Sequence, residues 1–167
     1  MRLKALRARE FALVFVILAF VTALPSSVAA SEPLVGKWRA IDKSNGEVQS
    51  IIELFVKDGN LHGRIVDILS RDGEKLDPIC TRCQGELKDA KVVGAIFISG
   101  LKKDGNRWID GKVVDLRPGP TQGITANCEL ELVDGRVKLS GYLWLRFMSG
   151  TDYWQRVPVE ASPQPKK

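Results

Sequence analysis

Two short tryptophan-containing motifs, one at each end of the β-rich part of the chain, could contact each other in the folded protein. Gly36 and Trp38 form a Gly-x-Trp motif where this part begins, and Trp154 and Arg156 form a Trp-x-Arg motif where it ends. In a closed antiparallel barrel the first and last strands are neighbours, so an arginine from one can cover the indole of the other. The pairing predicts a small closed barrel with four structural closure residues: Gly36, Trp38, Trp154 and Arg156.

Residues 1–30 have the three parts of a secretory signal peptide. A basic start is followed by an apolar run, Phe11 to Leu24, and small residues precede Ser31. The run is short for a membrane span, which needs about 20 residues. We therefore expect cleavage before Ser31, no stable membrane span afterwards, and a periplasmic or secreted protein.

Removal of this segment changes the charge of the chain. The full sequence carries +5, and residues 1–30 hold four basic residues and one acidic residue, which leaves about +2. Such a small charge does not support nucleic-acid binding. We expect one domain over residues 31–157, followed by a proline-rich disordered tail at 158–167.

Alternating apolar and polar residues predict about eight strands, and tight turns such as Asp58-Gly59 and Asp134-Gly135 separate several of them. The predicted strands are 35–42, 47–57, 60–69, 93–101, 107–116, 123–133, 136–147 and 151–157. Sequential antiparallel strands favour an all-β, up-and-down barrel, whose closure removes exposed edges. An interior of this size is filled by side chains or holds one small ligand.

Several further motifs fall in a recognisable order along the chain. They are Gly63-Arg64-Ile65, Cys80-x-x-Cys83, Trp108-x-x-Gly111 followed by Asp115, and Gly141-Tyr142. Together with the two closure motifs they resemble the DUF2147 family of small exported bacterial proteins, a family named for its unknown function. The similarity spans roughly residues 35–157. It implies a lipocalin-like β-barrel and an envelope or secreted location, without an established activity.

The chain departs from the family pattern at two places. Relatives tend to have Asp-Pro where this chain has Asp115-Leu116, and Gly-Arg-Thr where it has Ser149-Gly150-Thr151. If the arginine of Gly-Arg-Thr lines a site in relatives, this chain lacks it, and a shared ligand is then not expected.

Three cysteines lie in the chain that follows the predicted signal peptide. An exported protein is in an oxidising compartment, where disulfides persist. Cys80 and Cys83 lie in a long excursion, residues 70–92, with one helical turn expected near 86–90. The pair is predicted to form a disulfide that tightens the excursion; a reduced pair and a redox dithiol are the alternatives. Cys128 is in phase with apolar neighbours, so it is expected either as a buried thiol or as a partner of a loop cysteine. Two cysteines and a distant histidine, His62, do not make a convincing metal site.

Four charged residues on the predicted strands are candidate ligand-binding residues if they point into the barrel: Arg64, Asp67, Asp110 and Asp115. A polar group inside a barrel must be paired or must meet a ligand or water. The chain has no nucleophile elbow, phosphate loop or paired-carboxylate motif. No catalytic residue and no cofactor is predicted.

These observations favour an exported, non-catalytic barrel that binds a small apolar or amphipathic ligand in the cell envelope. One alternative is a protein-interaction module that uses the 70–92 excursion or the outer barrel face, where Tyr142 and Trp144 are expected to point outward. A thiol redox protein that uses Cys80 and Cys83 is the third hypothesis.

Overall fold

The computed structural model describes residues 32–70, 72–143 and 149–158, and nine strands run through this part of the chain. The predicted signal peptide and residues 159–167 of the predicted tail lie outside it, as does Trp144. The strands are β1 Gly36–Ile41, β2 Val48–Lys57, β3 Asn60–Leu69, β4 Lys75–Leu76, β5 Ile96–Asp104, β6 Arg107–Val114, β7 Thr125–Val133, β8 Arg136–Tyr142 and β9 Ser149–Arg156.

Eight of these strands close into one antiparallel barrel, as the sequence predicts. Each of the eight pairs with its neighbour in chain order, and β9 returns to β1 with Trp38 opposite Arg156 and Ala40 opposite Trp154. The two-residue strand β4 pairs only with the end of β3. In place of the helical turn expected near 86–90, a single 3-10 turn occupies Gly85–Leu87. None of the described helices is long and apolar enough to cross a membrane.

Buried apolar side chains pack against one another in the interior of the barrel. Leu61, Leu101 and Leu130 have no exposed surface, and Trp154 retains only 1 %. Gly111 allows Leu101 to pack closely against the backbone of β6, because a Cβ atom at residue 111 would lie 2.4 Å from the Cγ atom of Leu101. A close-packed apolar interior leaves no space for a ligand between these side chains. Of the two contents that the sequence leaves open for the interior, side chains rather than a small ligand occupy the part that these residues line.

One end of the barrel is covered by the segment that precedes β1, residues 32–35. Leu34 is 2 % exposed and belongs to the core. A Glu32 carboxylate oxygen lies 2.6 Å from the Lys103 ammonium and accepts a 3.2 Å hydrogen bond from the indole N–H of Trp108. These contacts join the start of the chain to the β5–β6 hairpin and cover this end.

The opposite end, which we call the mouth, carries two ordered loops. The first, residues 77–95, contains the cysteine pair and is named the cysteine loop. Its two arms are held together by backbone hydrogen bonds from Cys80 to Ala90 and from Val92 to Pro78. The second, residues 115–124, connects β6 to β7 and is named the β6–β7 loop. Buried side chains from both loops belong to the same core as the barrel interior: Cys80, Cys83, Val92 and Leu116.

Candidate binding cleft at the barrel mouth

The Cys80–Cys83 disulfide is formed, as predicted, and it lies in the core rather than on the surface. Cys80 is 1 % exposed and Cys83 is 4 % exposed. Thiol exchange requires access of an attacking thiolate to a sulfur atom. The burial of both residues therefore favours the structural staple over the redox dithiol.

The cysteine loop and the β6–β7 loop are locked together by Gln122. This side chain is 7 % exposed, and its carbonyl oxygen accepts hydrogen bonds from the Thr81 hydroxyl at 3.4 Å and the Arg82 backbone N–H at 3.3 Å. Gly123 follows, at φ +87°, and a Cβ atom there would lie 2.4 Å from the Arg82 carbonyl oxygen. Only glycine allows the two backbones to approach this closely.

A cleft of about 550 Å³ lies between these loops. Its walls combine apolar side chains, the Arg82 guanidinium and the amide of Gln84. Within the described chain, no hydrogen bond or ion pair engages the Arg82 guanidinium. The lining residues are Arg82, Gln84, Leu87, Val114, Pro120, Gln122, Gly123, Ile124 and Thr125. A concave surface with apolar walls and one charged group is typical of a small-molecule site.

Asp115 lies beside this cleft but is occupied in holding the β6–β7 loop. Its carboxylate accepts hydrogen bonds from Arg117 at 2.9 and 2.8 Å and from the Thr121 hydroxyl at 2.8 Å. Burial raises the pKa of Asp115, but the hydrogen bonds from Arg117 and Thr121 outweigh burial, so the pKa lies below its ordinary value. Asp115 is therefore an ionised anchor for the loop.

The structure does not bring the other three ligand-binding candidates together inside the barrel. Arg64 is exposed on the outer face of β3, where it forms an ion pair of 2.6 Å with Glu53. Arg64 therefore does not point into the barrel, which was the condition for its role in binding, because Leu61, Gly63 and Ile65 take the inward positions of this strand.

Irregular backbone geometry determines where the side chains of Asp67 and Asp110 lie. A bulge at Val66 of β3 shifts the pairing beside Asp67, whose carboxylate lies 2.8 Å from the Lys75 ammonium. Asp110 has φ +60° in an irregular part of β6 and is exposed, so it does not meet the condition of pointing into the barrel either.

The closure residues meet at the end covered by residues 32–35. The Arg156 guanidinium lies 4.1 Å from the centre of the Trp38 ring, and it donates hydrogen bonds to the Val35 and Pro33 carbonyl oxygens. The Trp38 indole N–H donates to the Leu34 carbonyl oxygen at 2.8 Å. Trp154 lies opposite Ala40, two residues along the strands from the pair of Trp38 and Arg156.

Cys128 is a free, fully buried thiol. Burial raises its pKa to about 12, with Glu129 adding to the rise and Lys112 opposing it. In the described part of the chain, no three His, Cys, Asp or Glu residues lie close enough to hold a metal ion. The one histidine, His62, stacks on Phe55 with ring centres 5.7 Å apart.

The residues that shape the mouth cleft were missed by the sequence analysis. Arg82 stands between the two cysteines, and Gln122 lies among the extra residues that follow Asp115. Neither residue lies in a strand, where alternation of apolar and polar residues would have indicated which way its side chain points. The chain's departure from the family pattern after Asp115 was the one signal that marked this loop.

Fold and site together define an antiparallel barrel of the lipocalin type, with a filled interior and a stapled mouth. A family model described as an uncharacterized protein conserved in bacteria, DUF2147, matches residues 36–156. The chain therefore belongs to the DUF2147 family, as its motifs predict.

Among solved structures, the chain is similar to protein HP1028 from the human pathogen Helicobacter pylori, which is described as belonging to the lipocalin family. The TM-score is 0.62 at 18 % identity, and the match covers 76 % of this chain and 84 % of that one. At this identity the likeness shows the fold alone. No curated protein sequence matches the chain.

Proposed function

We propose that this protein is an exported, non-catalytic binding protein of the cell envelope, and that it takes a small amphipathic molecule in the mouth cleft. The observation that carries the proposal is the cleft itself: about 550 Å³ between two loops that are fixed to each other, beside a barrel interior that is already filled. A lipocalin-like fold is consistent with binding.

The chemistry of the walls supports an amphipathic ligand with an anionic end. Leu87, Val114 and Ile124 offer an apolar surface, and Ile124 is 46 % exposed although it is aliphatic. Arg82 has no ion-pair partner in the described chain and presents a planar group that suits a carboxylate. A single-chain fatty acid has this combination of groups.

Rigidity of the cleft supports the same proposal. Gln122 and the disulfide hold one wall, and Asp115 with Arg117 holds the other. Little ordering is then needed when a ligand binds, which preserves affinity. The disulfide is also consistent with an oxidising compartment such as the periplasm.

Calorimetric titration with dodecanoate, kept below its micelle concentration, tests the proposal. Arg82→Gln is expected to weaken binding about tenfold, the loss of one charge-assisted contact. Lys88→Gln is the matched control, because Lys88 is an exposed cation on the same loop that does not line the cleft. Absence of binding, or equal losses in the two variants, would overturn the proposal.

A further inference from the structure

A second cleft, distinct from the mouth cleft, lies on the outer face of the barrel where β1, β9 and β8 are neighbours. Its volume is about 460 Å³, and it is named the outer cleft. The described lining residues are Ile41, Lys43, Arg136, Tyr153 and Gln155. Two of the five are cations from different strands or loops, and none is a carboxylate.

The cations of the outer cleft are incompletely neutralised. The Arg136 guanidinium lies 5.2 Å from the centre of the Tyr153 ring, and within the described chain it has no ion-pair partner. Lys43 donates a 2.7 Å hydrogen bond to the Thr151 carbonyl oxygen, and its ammonium is 3.7 Å from the Asp152 carboxylate. That carboxylate also accepts a 3.1 Å hydrogen bond from the indole N–H of Trp154.

A third cation stands beside the cleft on the adjacent strand. Arg39 is the direct cross-strand neighbour of Gln155. Among the described residues, its Nε is a buried side-chain nitrogen without a hydrogen-bond partner, and no carboxylate pairs with it. A buried donor without an acceptor is costly, so an acceptor that draws this side chain outward would relieve that cost.

Glu131, the carboxylate on β7, does not fill this role. Glu131 on β7 lies 2.6 Å from the ammonium of Lys138, which occupies the β8 position opposite Tyr153. Because Glu131 pairs with Lys138, Arg136 keeps its charge free in the cleft, Lys43 shares its charge with Asp152, and Arg39 lies beside the cleft.

We infer that the outer cleft binds the phosphate group of a phosphate monoester. Arg136 on β8 and Lys43 in the loop after β1 line the cleft, and Arg39 on β1 lies beside it. Three cations suit a dianion better than a single carboxylate, and a guanidinium matches two phosphate oxygens at once. The Tyr153 hydroxyl and the Gln155 amide add hydrogen-bond donors. The volume that remains beside Ile41 and the Tyr153 ring accepts the organic part of the ester. The ester comes either from a free metabolite or from a phosphorylated lipid headgroup.

Calorimetric titration of the protein with phenyl phosphate tests whether the site binds. Changes in the NMR chemical shifts of backbone amides then locate the bound molecule. Binding is expected to shift signals of residues 39–43 and 153–155. Arg136→Gln and Arg39→Gln are each expected to weaken it about tenfold, as the loss of a charge-assisted contact does. Lys102→Gln, an exposed cation on β5, is the matched control and should leave affinity unchanged. Thermal melts establish that each variant is folded.

A parallel arm uses phosphatidylcholine vesicles with and without phosphatidic acid. Arg136-dependent binding to phenyl phosphate alone supports a free ester, and Arg136-dependent binding to the acidic vesicles supports a lipid headgroup. Equal losses in Arg136→Gln and Lys102→Gln would show unspecific charge attraction and overturn the inference. Failure of both probes to bind would overturn it as well. Either result is independent of dodecanoate binding at the mouth.

Discussion

Arg156 covers the face of the Trp38 ring at 4.1 Å, although the two residues stand near opposite ends of the barrel sequence. The same guanidinium donates to the carbonyl oxygens of Val35 and Pro33. One side chain of the last strand therefore fixes both the first strand and the segment that covers the end of the barrel. Closure of the barrel and coverage of its end depend on the same contact.

Gly36→Ala is expected to disturb this contact directly. Gly36 has φ +126°, and a Cβ atom there would lie 3.0 Å from the Arg156 Nη1 atom. The backbone strain and the displaced guanidinium together should lower the free energy of unfolding by about 1–3 kcal/mol. Urea denaturation of the parent, the two single variants and the double variant with Arg156→Ala separates the cost of backbone strain from the cost of displacing the guanidinium.

In the Arg156→Ala background, Gly36→Ala should cost less, since only the backbone strain remains. A coupling free energy of at least about 0.5 kcal/mol is expected for residues in contact. Strictly additive effects of the two substitutions would contradict the proposed role of Gly36 in making room for Arg156.

Trp38→Ala is expected to lower the free energy of unfolding by about 3–5 kcal/mol, as truncation of a buried tryptophan does. Trp38 has no exposed surface and packs at the junction of β1 and β9. Phe55→Ala, which removes a half-buried ring from the outer face, is the control and should cost markedly less. A Trp38→Ala variant as stable as the parent would show that the two ends do not support each other.

Gly123→Ala is expected to separate the two mouth loops. The new methyl group would meet the Arg82 carbonyl oxygen, which is backbone and has little freedom to move. Amide hydrogen exchange should speed up in both loops, the cysteine loop and the β6–β7 loop, and less in the barrel strands. Gly119→Ala is the control, because φ is also positive there but nothing lies within 4 Å of the added atom. Equal exchange in the two variants would argue against a shared lock.

Cys128 is expected to resist thiol reagents in the native protein at pH 8. Its pKa is raised to about 12 by burial, so almost no thiolate forms at that pH, and the sulfur is enclosed. Labelling with a maleimide and mass spectrometry should find one reactive thiol only after unfolding without reductant. Rapid labelling of the folded protein would mean that the interior opens near β7.

The barrel was predictable because its signals are local and periodic. Alternation in β2 and β7, the Asp-Gly turns and the two end motifs each point to the same closed meander. The side on which Arg64 and Asp110 lie was not predictable in this way. A bulge in β3 and the positive φ of Asp110 change the phase of the strands, and a sequence does not mark where such irregularities fall.

The mouth cleft escaped prediction for a different reason. Gln122 and Arg82 are far apart in sequence and lie in loops without a period, so their contact depends on tertiary packing alone. The cysteine pair could be predicted as a staple, but not that its burial would fix one wall of a cleft.

The proposed binding at the mouth cleft rests on a barrel interior that its own side chains fill. A crystal structure of the protein purified from the cells that naturally produce it, without a step that would remove a bound molecule, tests this most directly. We predict density for a bound molecule between Arg82 and Ile124, with Trp38 and Trp154 packed inside the barrel. Density for a ligand between Trp38 and Trp154, in an opened interior, would contradict the account.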